Sequence, residues 1–196
     1  MWIKQFKNLI LLPFWLNLPY FWQIQAKIDH IETNLLTISS LSIAREHENE
    51  RFKMFLQQVD SGQIDSKVLE LNNTITPKID CTRCGNCCKS LMITVSDEEA
   101  NVLSSALNQT RENFDEQYLE KGSNGLMLIN TIPCTFLSDN KCTIYENRFA
   151  GCREFPAMHL PNFKQRLFTS FMHYNRCPII FNVIEELKDA LLFERD

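Results

Sequence analysis

The sequence predicts a mainly helical α+β protein: a small cysteine-rich domain with a short β-hairpin, preceded by a helical N-terminal extension. Three observations carry this expectation. Apolar residues in the first third recur at helical steps. All eight cysteines fall between residues 81 and 177. Turn-forming residues between the cysteine groups leave room only for short strands. The expected division is 1–78 for the extension and connector, and 79–196 for the cysteine domain with a C-terminal helix.

At the N-terminus, Lys4 and Lys7 precede the apolar run Leu9 to Leu16, which Pro13 interrupts. The run is too short to span a bilayer. It has the charge order of a secretory leader, but no small-residue cleavage site follows. Two readings remain. One is a helix packed on the body. The other is an interfacial segment over residues 1–22, where Trp2, Trp15, Tyr20 and Trp22 beside two lysines suit a headgroup layer.

Ile24, Ile28, Ile31, Leu35 and Ile38 then form a helical seam, resumed by Phe52, Leu56 and Val59. Helix is expected from Tyr20 to Val59, interrupted near Ser39-Ser40, with Ser61-Gly62 as the stop. A seam this narrow suits an intrachain hairpin or a homodimer through the N-terminal helix. Residues 62–80, with Asn72-Asn73 and Pro77, read as a connector.

Ser96-Asp97-Glu98-Glu99 is a capping box, so a helix should follow to Asn108. A second is expected from Arg111 to Lys121. Gly125 to Ile132 alternates weakly and suits a strand. Ser138 to Lys141 reads as a turn, with Cys142 to Tyr145 returning from it. Phe163 to Tyr174 is expected to be extended, and a final helix to run from Asn182 to Phe193.

Net charge is −4 and the pI about 5.6. A nucleic-acid partner is not expected, because no basic stripe is present. With 14 Phe and 44% hydrophobic residues the chain can build a core without relying on cross-links.

The chemistry lies in the cysteines. Cys81-Thr82-Arg83-Cys84-Gly85-Asn86-Cys87-Cys88 contains two overlapping C-x-x-C steps, and a tight turn brings residues i and i+3 side by side. Gly85 and Asn86 tolerate the positive φ such turns require. Neighbours Cys87 and Cys88 cannot easily aim at one point, so they should serve different ligands, different roles, or two sides of one cluster. Cys134, Cys142, Cys152 and Cys177 follow on loops and strand ends. Structural zinc sites and cubane clusters take four ligands each, so eight thiols permit two full sites or one with spares. All-thiolate ligation selects zinc or iron–sulfur and disfavours calcium and magnesium. Arg83, Arg148 and Arg153 are candidates to balance the thiolate charge. Disulfides are the competing reading for an even cysteine count. The missing cleavable leader, the ample core and the i, i+3, i+6 spacing argue against them, and no thioredoxin-like βαβ pattern flanks a redox C-x-x-C. Free thiols suit a cytoplasmic location.

These words resemble a known family. Cys81-x-x-Cys84-Gly85-x-Cys87-Cys88 is similar to the signature of the YkgJ-like cysteine-cluster (CxxCxxCC) zinc- or iron-chelating domains. Pro133-Cys134-Thr135-Phe136-Leu137, Cys142-Thr143-Ile144-Tyr145-Glu146-Asn147-Arg148, Cys152-Arg153-Glu154-Phe155-Pro156 and Cys177-Pro178 follow the same pattern over residues 79–180. One departure is Phe149, where the family usually has proline; the geometry of the turn before Cys152 depends on it. The resemblance implies a metal-binding protein holding iron, as an iron–sulfur cluster, or zinc, with Cys81, Cys84, Cys87, Cys88, Cys134, Cys142, Cys152 and Cys177 as ligands. It also implies an alternative: an iron–sulfur enzyme of redox or group transfer, distantly like flagellin lysine N-methylase. No glycine loop for S-adenosylmethionine is evident.

Among other candidates, His159 and His173 lie within the cysteine region and could substitute as ligands. His30 and His47 lie outside it. Glu112 and Asp115 read as a solvated helix face. No Ser-His-Asp set, phosphate loop or H-E-x-x-H helix is present, so catalytic residues stay unassigned.

Overall fold

The computed structural model describes residues 31–195. Three helices come first: α1 (Leu35–Ala44), α2 (Glu46–Gln58) and α3 (Ser61–Ile75). Asn34 caps α1 by accepting the Leu36 and Thr37 N–H groups, which satisfies donors a helix start leaves open. The expected helix is absent over residues 31–34, where Asn34 instead caps a fresh start, and its interruption falls at Arg45 rather than at Ser39-Ser40. The reason is tertiary, because the Arg45 guanidinium turns in to pair with Glu185 on the last helix.

Residues 61–75 form a helix, not a connector. Asp60 caps it by accepting the Gln63 N–H at 2.9 Å, and Ile64, Val68, Leu71 and Ile75 give it a buried seam. Asn72 does not break it, because its carboxamide accepts the Thr76 hydroxyl inside the fold. A 3₁₀ turn at Thr76–Lys78 leads to the first cysteine. The readings for residues 1–22, for Ile24 and Ile28, and for a dimer through the N-terminal helix lie outside the described residues. Among the described residues no helix is long and apolar enough to cross a membrane.

The cysteine region opens with two short helices, α4 (Cys81–Cys84) and α5 (Asn86–Ser90). After β1 (Thr94–Val95) come α6 (Asp97–Ala106), α7 (Arg111–Tyr118), β2 (Leu119–Lys121) and β3 (Met127–Ile129). The strands make an antiparallel sheet in the order β1-β3-β2, with Val95 opposite Met127 and Leu119 opposite Ile129. Both arms of the Ser96–Glu99 capping box form. The Glu99 carboxylate also accepts the Ala150 N–H, tying α6 to the segment that carries Cys152. Ser96→Ala should therefore cost about 1 kcal/mol in urea denaturation, the usual loss for an N-cap hydroxyl.

A two-stranded hairpin, β4 (Leu137–Ser138) with β5 (Lys141–Cys142), follows the expected turn. Asp139 and Asn140 both take positive φ, the conformation a two-residue hairpin loop demands. Then come α8 (Ala150–Glu154), α9 (Leu167–Met172) and α10 (Pro178–Ala190). Residues 163–172 are helical rather than extended. Phe163, Leu167 and Ser170 are their buried positions, and the Asp65 carboxylate accepts the Asn162 and Phe163 N–H groups at 2.8 and 2.9 Å. The last helix starts a turn earlier than expected, with Pro178 at its first position, where the missing N–H costs nothing.

Two apolar centres result. One joins α1–α3 to α10, with Ile38, Phe52, Leu56, Ile64, Ile75, Val183, Ile184 and Leu187 fully buried. The other lies under the sheet, where Leu103, Phe114, Met127, Ile129, Phe136 and Phe149 pack together. The partly buried Cys134, Cys142 and Cys152 rest against this second centre.

Candidate metal centre

Asp80 starts the motif by capping α4, accepting the Thr82 N–H at 2.9 Å and the Thr82 hydroxyl at 2.6 Å. The single turn places Cys81 and Cys84 on one side. Gly85 then enters the left-handed region at φ +58° and restarts the chain as α5. A methyl group at Gly85 would also sit 3.2 Å from the Asn140 Oδ1 of the hairpin. Gly85→Ala should thus cost about 1–2 kcal/mol, the penalty of a left-handed L-residue, and lower metal content. Thermal melting and metal analysis of the purified variant would check both.

The remaining cysteines reach the same place by separate routes. The Cys134 N–H donates to the Cys88 carbonyl at 2.8 Å. Cys142 lies on β5, and Cys152 lies in α8, its N–H on the Phe149 carbonyl at 2.9 Å. Phe149 keeps the turn that a proline would have set, because its φ is −58°, and its ring is buried beside Phe136. Cys177 is the N-cap of α10. It is held near the motif by the Asn86 Nδ2, which donates to the Arg176 carbonyl at 2.8 Å.

All eight cysteines line one cavity of about 580 Å³. All eight are free thiols. Among the described residues, no three or more Cys, His, Asp or Glu side chains are already gathered closely enough to close around an ion. The donor set nonetheless fits a soft metal, since eight thiols from two stretches face one space. Backbone N–H groups are also aimed at several sulfurs: Phe136 at Cys134, Ile144 at Cys142, and Ile180 with Ile179 at Cys177. Such donors favour thiolate over neutral thiol.

Burial works the other way. It raises the Cys81, Cys134 and Cys142 thiols, and pushes Cys152 and Cys177 up to about 12. At Cys177 this outweighs the helix N-terminus. The Cys87 and Cys88 sulfurs lie 4.0 Å apart. Their hydrogen bond lowers the Cys87 pKa and raises that of Cys88. A bound metal must displace protons from these thiols, so affinity should rise with pH. The Arg148 guanidinium favours thiolate at Cys81, Cys142 and Cys152 and stacks 3.9 Å from the Tyr145 ring centroid.

Of the other sequence candidates, Arg148 and Arg153 line the cavity and Arg83 does not. His173 lines it too, its buried Nδ1 lacking a hydrogen-bond partner. Its ring meets Phe155 edge-on at 5.3 Å. His159 is exposed and stands apart from the cavity lining. Sequence reasoning missed Asn86 and Arg176. Arg176 had a signal in its place beside Cys177; Asn86 had none beyond its turn propensity.

A family profile described as "CxxCxxCC: Putative zinc- or iron-chelating domain" matches residues 80–177, half of the chain and all eight cysteines. No curated protein and no solved structure matches the chain.

Proposed function

The chain belongs to the CxxCxxCC zinc- or iron-chelating family, and from that premise we propose that its eight thiols hold iron in iron–sulfur form, with zinc as the alternative metal. One observation carries the reading: thiols separated by dozens of residues in sequence line a single cavity. The volume of about 580 Å³ leaves room for inorganic sulfide as well as for metal ions. A zinc ion in four thiolates is closed and needs little space of its own, whereas a cluster adds inorganic sulfide between its irons. Such a group would supply either a structural cross-link or an electron-transfer centre. The Cys81, Cys84, Cys87, Cys88, Cys134, Cys142, Cys152 and Cys177 side chains would hold it, and Arg148 would offset their charge. Free thiols suit a reducing compartment such as the cytoplasm.

A second reading, an enzyme acting beside the metal, is favoured by the same volume, which lies in the range of small-molecule sites. Tyr145, Met172 and His173 give that space a partly apolar wall.

The test is anaerobic purification of the full chain with quantification of iron, zinc and acid-labile sulfide. Brown protein with iron and sulfide is the expected result. Colourless protein with stoichiometric zinc replaces iron by zinc, and protein that carries neither metal and takes up neither ends the reading.

A further inference from the structure

We propose that the eight thiols are divided into two separate four-thiol sites, Cys81, Cys84, Cys87 and Cys177 in one and Cys88, Cys134, Cys142 and Cys152 in the other, with the boundary running between the adjacent Cys87 and Cys88. The division rests on the metal-chelating reading above and goes beyond it, since eight thiols around one cavity could equally serve one shared centre.

The backbone makes the division. Gly85, in the left-handed region, breaks the helix between α4 and α5, and on α5 the adjacent Cys87 and Cys88 side chains leave the axis about 100° apart. Asn86, the first residue of α5, donates to the carbonyl of Arg176 and so draws the neighbouring Cys177 to the motif.

Cys88 belongs to the other side. Its carbonyl accepts the Cys134 N–H at 2.8 Å, which pins it to the start of the hairpin. The Leu137 N–H donates to the Cys134 carbonyl at 2.9 Å, and Leu137 pairs with Cys142 across β4 and β5. Cys134, Cys142 and Cys152 rest on the same apolar centre under the sheet, and Cys177 belongs instead to α10. Across the boundary, Cys87 and Cys88 touch at 4.0 Å. The α4 turn that carries Cys81 and Cys84 also packs against β5. Each set then has the four thiolates that a closed tetrahedral zinc site or a cubane requires.

Zinc is the probe. The full chain is freed of metal under reducing, anaerobic conditions and titrated with zinc, read by a chromophoric competitor. Wild-type protein should bind two equivalents. Cys84→Ser and Cys177→Ser should each bind one, Cys142→Ser and Cys152→Ser should each bind one, and the Cys84→Ser, Cys142→Ser double variant none.

A second measurement uses wild type alone, so it does not depend on a variant folding. The chain is loaded with one equivalent, alkylated, and the labelled thiols are mapped on intact molecules. Half-loaded molecules should keep one complete set protected. Protection that mixes the two sets overturns the division. So does a wild-type stoichiometry of one, or any single substitution that abolishes all binding; these leave the chelating function standing. Wild type that binds no zinc overturns the chelating function and the division together.

Discussion

Stripping the metal from the full chain is expected to melt the cysteine loops and leave the helical layer folded. A site assembled from distant thiols does not exist in the unfolded chain, so its binding free energy is folding free energy, about 10–16 kcal/mol for structural zinc at neutral pH. Outside Phe136, Ile144 and Phe149, which rest in the second apolar centre, the loops have little else to hold them. Cys81, Thr82 and Arg83 are exposed, as are residues 130–133 and 145–147. The helices α1–α3 and α10 keep their own buried centre. Hydrogen exchange before and after chelation should show protection lost at about residues 79–93 and 131–157. Protection of Phe52, Ile64 and Val183 should persist. Unchanged exchange in the cysteine loops would mean that the metal does not support them.

Glu185→Ala should produce the second large effect, a loss of about 3–5 kcal/mol, as when a buried charge network loses one member. Glu185 accepts from Lys188 at 2.7 Å and from the Tyr174 hydroxyl at 2.5 Å, and pairs with Arg195 at 2.7 Å. Lys188 has no exposed surface, and its other partners are Glu48 and Asn49, both at 2.7 Å. Removing Glu185 takes away the acceptor of the Tyr174 hydroxyl and leaves Lys188 with fewer partners in the apolar interior. The same group sets an acid limit. Burial would raise the Glu185 pKa, but Lys188, Tyr174 and Arg195 outweigh it and hold the carboxyl below its ordinary value of 4.5. A lowered folded-state pKa gives stability that is present above pH 4.5 and is lost as pH falls below it. Urea denaturation from about pH 7 down to about pH 3 should show wild type losing this stability. The Glu185→Ala variant, weaker throughout, should lose less of it. Parallel curves would remove Glu185 from the acid response.

The cysteine-bearing half was largely legible in the sequence because its signals are local. The capping box, the two-residue hairpin turn and the C-x-x-C steps each state their own geometry within a few residues. The helix at 61–75 was not read, because Ser61-Gly62 and Asn72-Asn73 look like turns when their partners are unseen. The apolar steps from Ile64 to Ile75 were nevertheless there to find. The buried Lys188 was beyond sequence reasoning, since one of its partners, Glu48, lies 140 residues away. The eight candidate ligands were identifiable individually, but their grouping follows from a tertiary contact such as Asn86 with Arg176.

The most direct test of the central claim is X-ray absorption at the metal edge on anaerobically purified full chain. Thiolates converging from residues 81–88 and 134–177 predict a first shell of about four sulfurs at about 2.3 Å. A shell dominated by nitrogen and oxygen would contradict that account.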